Sequence, residues 1–372
     1  MKTYVIIGAG ILGASTAYHL AKEGVKVVLI DKAHEGQATE AAAGIVCPWV
    51  SQRRNKVWYN LAKGGAAYYP PLVRELELLL NEDVGYQKVG ALSLHTDQKK
   101  LSQMEERSLK RKEEAPEMED IALLDEVQTK NRFPFIGENY SSVYVSGAGR
   151  VDGRKIRDAL IRSALHHGAK HIKSEASLRR NEKGQVSVLV HDEVVEADGV
   201  VVAAGIWAKE LLEQVGIQFH VTAQKAEILH LRTREHTDHL PVVMPPSSHY
   251  FVPFETGKMV VGTTHDDEGG QERDTRPTAG GIFEILDKSL QYAPMLKNSE
   301  LTGVRVGFRP YTPGFLPVFG GVPGVENLFV GNGLGASGLT AGPFLGKELA
   351  YHVLGYETVL NPSDYPVEGA IE

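Results

Sequence analysis

The chain has 372 residues, 42% of them hydrophobic, and a formal net charge of −7. That length and apolar content can fill the cores of two domains, and the negative balance gives no electrostatic case for a nucleic-acid partner. A single cysteine, Cys47, leaves no pair for an internal disulfide and suits a reducing compartment.

Val5-Ile6-Ile7 is an apolar run suited to a strand buried on both faces. Gly8-Ala9-Gly10-Ile11-Leu12-Gly13 follows directly as G-x-G-x-x-G, and Leu12 to Lys22 reads as a helix. In such a unit the first glycine permits a tight turn and the second lets the backbone approach a pyrophosphate. The third brings helix and strand together, with the helix N-terminus facing the anion. Val25 to Ile30 forms a second buried strand, ending at Asp31 and Lys32. An acid there, roughly 20 residues past the turn, is placed to accept from a ribose diol and would repel a 2′-phosphate. The order of these pieces predicts a dinucleotide site and disfavours NADP.

Gly36 to Val46 is small and helix-prone, with little side chain to pack. Such bareness suits a backbone lying against something flat or phosphorylated; the alternative is an ordinary Ala-rich packing helix. Cys47 reads as a small buried hydrophobe. Gly90 to Thr96 is strand-like, and Lys99 to Pro134 reads as largely helical, its mixed charges marking a solvated face. Asp152 to Gly168 predicts a helix, and Asp198 to Trp207 a buried strand ending in small residues, followed by a helix at Ala208 to Gln214. Val221 to Thr233 is strand-like. His249 to Phe254 and Lys258 to Thr263 flank Glu255-Thr256-Gly257, a hairpin signature. Val304 to Pro310 is strand-like, and Asn327 to Val330 forms a strand running into Gly331-Asn332-Gly333-Leu334-Gly335-Ala336-Ser337-Gly338 and a helix through Leu354.

This second strand, glycine loop and helix is superfluous for NAD, which needs one phosphate cradle. A flavin ring reaching across the sheet needs a second backbone wall, so FAD is the expected cofactor. The paired histidines His166-His167 and His236 with His239 have no recognised metal-ligand pattern, and no metal is expected. His265, beside Asp266 and Asp267, is a candidate for facing a substrate cavity. The first strand begins near residue 4 with no charged-then-apolar leader, and no 18-residue apolar run occurs. The expectation is a cytoplasmic protein without an integral membrane segment.

With these pieces in order the chain resembles the D-amino-acid-oxidase-like superfamily of FAD enzymes, of the glycine oxidase, sarcosine oxidase and D-amino-acid dehydrogenase type. The resemblance rests on VIIGAGILGAS, ATEAAAGIV, GVVVAAGIWAKEL, YFVPFETGKMVVGTT, GFRPYTPGFLPVFG and NLFVGNGLGASGLTAGP, in family order. It implies an α/β fold in which a Rossmann-like FAD domain is interleaved with an antiparallel-sheet substrate domain. The expected ranges are 1–85, 140–220 and 305–372 for the FAD domain, and 86–139 and 221–304 for the substrate domain. Gly8, Ala9, Gly10, Ile11, Leu12, Gly13, Asp31 and Lys32 would hold the pyrophosphate and adenosine ribose. Thr39, Ala43, Gly44 and Ile45 would line the pyrophosphate and flavin edge, and Gly205 the adenine side. Gly333, Leu334, Gly335, Ala336, Ser337, Gly338 and Leu339 would wrap the pyrimidine end of the ring.

The resemblance makes Arg309 the residue that binds a substrate carboxylate through its planar fork, with Tyr250 reaching the same group. Arg309 also stands where a sarcosine oxidase cysteine would tether the flavin, so FAD is expected to be noncovalent. Departures from the family pattern are Gly314-Phe315 where an aspartate and glycine are common, Leu334 for histidine, and Ala336 for a second arginine. The implied reaction is oxidation of a small amino acid (glycine, sarcosine or a D-amino acid) at its Cα–N bond by hydride transfer to flavin N5. The imine would hydrolyse to an oxo-acid, with O2 or a quinone-type acceptor as oxidant. Alternatives are a flavin-dependent 2-hydroxy-acid dehydrogenase and a flavin-bound subunit without turnover. Self-association into a homo-oligomer is left open.

Overall fold

A computed structural model describes residues 1–182 and 184–372. Thr3–Ile7 pairs in parallel with Lys26–Asp31 on one side and Gly199–Val202 on the other. Lys170–Lys173 and Leu328–Asn332 extend the parallel sheet at its two ends, and Val318–Gly321 adds an antiparallel edge. The central strands are buried on both faces, as their unbroken Val/Ile runs require.

Helix Ile11–Lys22 covers this sheet and packs against Gly153–His166 and Gly338–Leu354. Small residues let these helices approach closely. A Cβ at Gly346 would lie 2.5 Å from that of Ser15, and the Ser15 hydroxyl donates to the Pro343 carbonyl at 2.6 Å. Gly13 plays the same part against the turn: a Cβ there would sit 1.9 Å from the Gly8 carbonyl oxygen.

A second large sheet, eight-stranded among the described residues, runs in the order Glu300–Tyr311, Thr222–Arg232, Lys258–Gly262, Tyr250–Pro253, Val242–Met244, Ala91–His95, Ser141–Val145, Ile121–Leu124. It is antiparallel apart from the Val242–Met244 and Ala91–His95 pair. The expected hairpin is present, Tyr250 pairing with Gly262 and Pro253 with Met259. Ser141–Val145 and the end of Glu300–Tyr311 fall in ranges assigned above to the FAD domain, yet they hydrogen-bond within this sheet. The substrate-sheet segments therefore run past the expected boundaries at 140 and 305, to Val145 and Tyr311.

Two local expectations change, and one helix is added. Lys99 to Pro134 is not one helical stretch: Gln98–Lys112 ends before Pro116, Ile121–Leu124 is an edge strand, and Glu126–Arg132 is a short capped helix. Proline fixes φ and removes a donor, so the helix cannot continue. The bare Gly36–Val46 segment makes one 3-10 turn at Ala38–Ala41 and then a short strand, Ile45–Val46. Helix Lys56–Leu80 adds an element for which no reading was made, and it carries Pro70-Pro71 inside it. Its apolar face is regular all the same. Trp58, Leu61, Ala62, Gly65, Ala66, Tyr69, Leu72, Val73 and Leu76 recur at helical spacing and are buried.

Candidate active site

The glycine turn after Thr3–Ile7 and the loop after Leu328–Asn332 open at the same edge of the parallel sheet, one strand apart. Helix Ile11–Lys22 starts at Gly10 and helix Gly338–Leu354 at Ser337, and neither start has a side-chain cap. Each helix thus points the positive end of its dipole at whatever lies in front. A cavity of about 690 Å³ runs along both starts. Gly8 and Gly333 have φ of +103° and +80°, and a Cβ would come within 2.4 Å of the Ala203 carbonyl and 2.0 Å of the Thr312 hydroxyl. Glycine is obligatory at both.

Of the anticipated cofactor residues, Gly8, Gly10, Ile11, Leu12, Asp31, Lys32, Thr39, Ala43, Gly44, Ile45 and Gly205 line this cavity, as do Gly333 to Ala336, Gly338 and Leu339. Ala9, Gly13 and Ser337 do not. Ala9 donates its N–H to Asp31, Gly13 serves the helix–strand contact, and Ser337 accepts a hydrogen bond from the Trp58 indole at 2.9 Å. Thr39 accepts from the Ile11 N–H at 3.0 Å, tying the bare segment to the turn. Buried Asn332 donates to the Gly205 carbonyl at 2.8 Å and accepts from the Gly333 N–H at 2.7 Å, tying the second loop to the turn at Gly205. His34 and Trp207 stack there with ring centroids 4.5 Å apart, a pair not singled out in the sequence.

At the other end of the cavity the eight-stranded sheet supplies Tyr250, Thr263, His265 and Arg309. The Arg309 guanidinium donates to Gln224 Oε1 at 3.1 Å and to Thr263 Oγ1 at 3.2 Å. Gln224 stands directly opposite Arg309 in strand register, and its amide is fixed in turn by donation to Asp267 at 2.9 Å. Among the described residues no carboxylate pairs with Arg309, so its charge is held by two neutral oxygens at the edge of the fork. Burial raises the Tyr250 phenol above its ordinary range, while Arg309 and Thr263 oppose the shift. Burial, then the Arg309 charge, lowers the His265 imidazole. Cys47 is buried away from this lining, and desolvation pushes its thiol up to about 12. Gln224 was missed because only strand pairing brings it to Arg309, whereas Thr263 sat unmarked inside a quoted motif.

The model of the FAD dependent oxidoreductase (DAO) family matches residues 3–352. The chain belongs to this family. As an FAD-dependent oxidoreductase of the DAO family it is 53% identical to the uncharacterized oxidoreductase YurR of Bacillus subtilis over 372 residues, the whole of both chains. It is similar to the solved iminodiacetate oxidase of Chelativorans sp. BNC1, with a TM-score of 0.94 and 40% identity over 98% of each chain. It is also 26% identical to the glycine oxidase of Pseudomonas putida, covering 100% of this chain and 99% of that one. The residues present fit FAD: two uncapped helix starts for the pyrophosphate and ring, glycines where no Cβ has room, and a cavity joining them to Arg309. No helix among the described residues is long and apolar enough to cross a membrane.

Proposed function

We propose that this DAO-family enzyme oxidises the Cα–N bond of a small amino acid or N-substituted glycine whose carboxylate is held by Arg309. The observation that carries the reading is the Arg309 fork, oriented by Gln224 and Thr263 and lacking a carboxylate partner among the described residues. A half-buried guanidinium of this kind favours an anion from solution, and its planar donors match a carboxylate bidentately. Tyr250 adds a hydroxyl beside the same group. The reacting amine must be neutral, and His265 lines the same cavity with its imidazole held below the ordinary value, ready to take a proton. FAD, when bound, supplies the hydride acceptor for the Cα–N oxidation, whose imine product hydrolyses to an oxo-acid and an amine or ammonia. The likeness to an iminodiacetate oxidase supports N-substituted glycines as the first substrates to try, iminodiacetate being one itself.

Anaerobic addition of glycine, sarcosine, proline, D-amino acids and iminodiacetate should bleach the flavin with at least one of them. Bleaching by 2-hydroxy acids alone would replace this reading, and no bleaching by any would point to a flavin-bound subunit without turnover. The FAD is proposed to be noncovalent, Arg309 standing at the tether position and Cys47 lying outside the cavity lining. Acid precipitation should release all yellow colour to the supernatant; colour kept in the pellet would overturn that.

A further inference from the structure

Side chains alternate along a strand, so Arg309, Gly307 and Arg305 share one face of Glu300–Tyr311. Ala41 sits over the middle position: a Cβ at Gly307 would meet the Ala41 side chain at 2.7 Å. The bare segment is fastened there, with Gln37 bridging to Phe308 and the Glu40 carbonyl accepting from Arg305 at 3.3 Å. It crosses the sheet between the two arginines. On the Arg309 side lies the cofactor cavity. On the Arg305 side lies a second cavity of about 700 Å³, and Thr39, Ala42 and Ala43 line both.

The second cavity is rich in cations. Arg150, Arg154 and Lys155 are matched by Glu255, Glu40 and Asp83. Arg305, Arg232 and Lys258 form no ion pair among the described residues, and all three line the space. Arg232 is directly opposite Lys258 on one side and Glu300 on the other, and like charges directly opposite destabilise a sheet, though Arg232 and Glu300 form no ion pair among the described residues. His230, on the same face, has a buried Nε2 without a hydrogen-bond partner.

We propose that the second cavity binds a small, multiply charged anion, a polycarboxylate or a phosphate-bearing molecule, held by Arg305, Arg232 and Lys258. Because the wall Thr39, Ala42 and Ala43 is shared, occupancy on this side is felt by the flavin on the other. The site does not depend on which substrate Arg309 binds.

The test uses purified holoprotein titrated with citrate and, separately, inorganic phosphate, followed by calorimetry and by the flavin absorption spectrum. Saturable binding of either probe at one site per chain, with a spectral shift, is expected; whichever probe binds names the ligand chemistry. Arg305→Gln and Lys258→Gln should each weaken binding roughly tenfold or more, about 1.4 kcal/mol per decade. Arg309→Ala should leave it within about twofold, or roughly 0.4 kcal/mol. Lys258 is exposed, so its variant tests the site even where Arg305→Gln perturbs the fold. No saturation by either probe, or loss of binding in Arg309→Ala but not in Lys258→Gln, would overturn the proposal.

Discussion

Asp31 acts in two directions. Its carboxylate accepts from the Ala9 and Ala33 N–H groups and from Gln37 at 3.1 Å, so it braces the glycine turn as well as lining the cavity. Asp31→Ala should therefore lower retained FAD by about 10–100-fold in affinity, from the loss of charge-assisted hydrogen bonds of roughly 1.5–3 kcal/mol. The flavin-to-protein ratio after dialysis measures this, and an unchanged ratio would confine the residue to a bracing role elsewhere. Asp31 was legible because a strand end and a helix start are local patterns. The Arg309–Gln224–Asp267 chain was not, since its members meet only through pairing of strands far apart in sequence. In the proposed reaction His265 acts through its protonation. Burial and Arg309 depress its imidazole, which favours the neutral form. His265→Gln should remove an acid-side limb from the pH profile of flavin reduction; an unchanged profile would exclude it as the proton acceptor.

At the scale of elements, the helices over the cofactor sheet depend on missing side chains. The Gly13 contact with the Gly8 carbonyl leaves no room for a methyl, and Gly8 cannot yield because Ala203 presses from the other side. Gly13→Ala should destabilise by at least the 1–3 kcal/mol typical of overpacking and release FAD, seen as a lower Tm and a colourless protein. A variant that keeps both would show that helix and turn can separate freely. The glycine motifs made these elements readable from the sequence. Helix Lys56–Leu80 carries its prolines within a regular apolar face, and tertiary packing against Gly338–Leu354 holds what local propensity would break. The edge strand Ile121–Leu124 was hidden because it lies beside a charged helical stretch and gains its order from Ser141–Val145.

Across the whole molecule, His19, His230 and His249 have imidazoles driven down to about 4 by burial, from an ordinary 6.5. Below pH 6.5 the unfolded chain binds protons that the folded chain refuses, so stability falls as pH drops from about 6.5 to about 4. Tm should decline steadily over that window, and His249→Asn should flatten the slope; a Tm constant down to pH 4 would contradict it. The central claim is that one cavity joins the FAD cradle to a carboxylate clamp at Arg309. The most direct measurement is anaerobic flavin reduction by the best amino-acid substrate in wild type, Arg309→Lys and Arg309→Ala, each with its FAD retained. Lysine keeps the charge and loses the fork, so its variant should bind substrate more weakly, and alanine more weakly still, by roughly 10²-fold or more, about 2.8 kcal/mol at about 1.4 kcal/mol per decade. Reduction of Arg309→Ala as readily as wild type, at the same substrate concentration, would contradict the account.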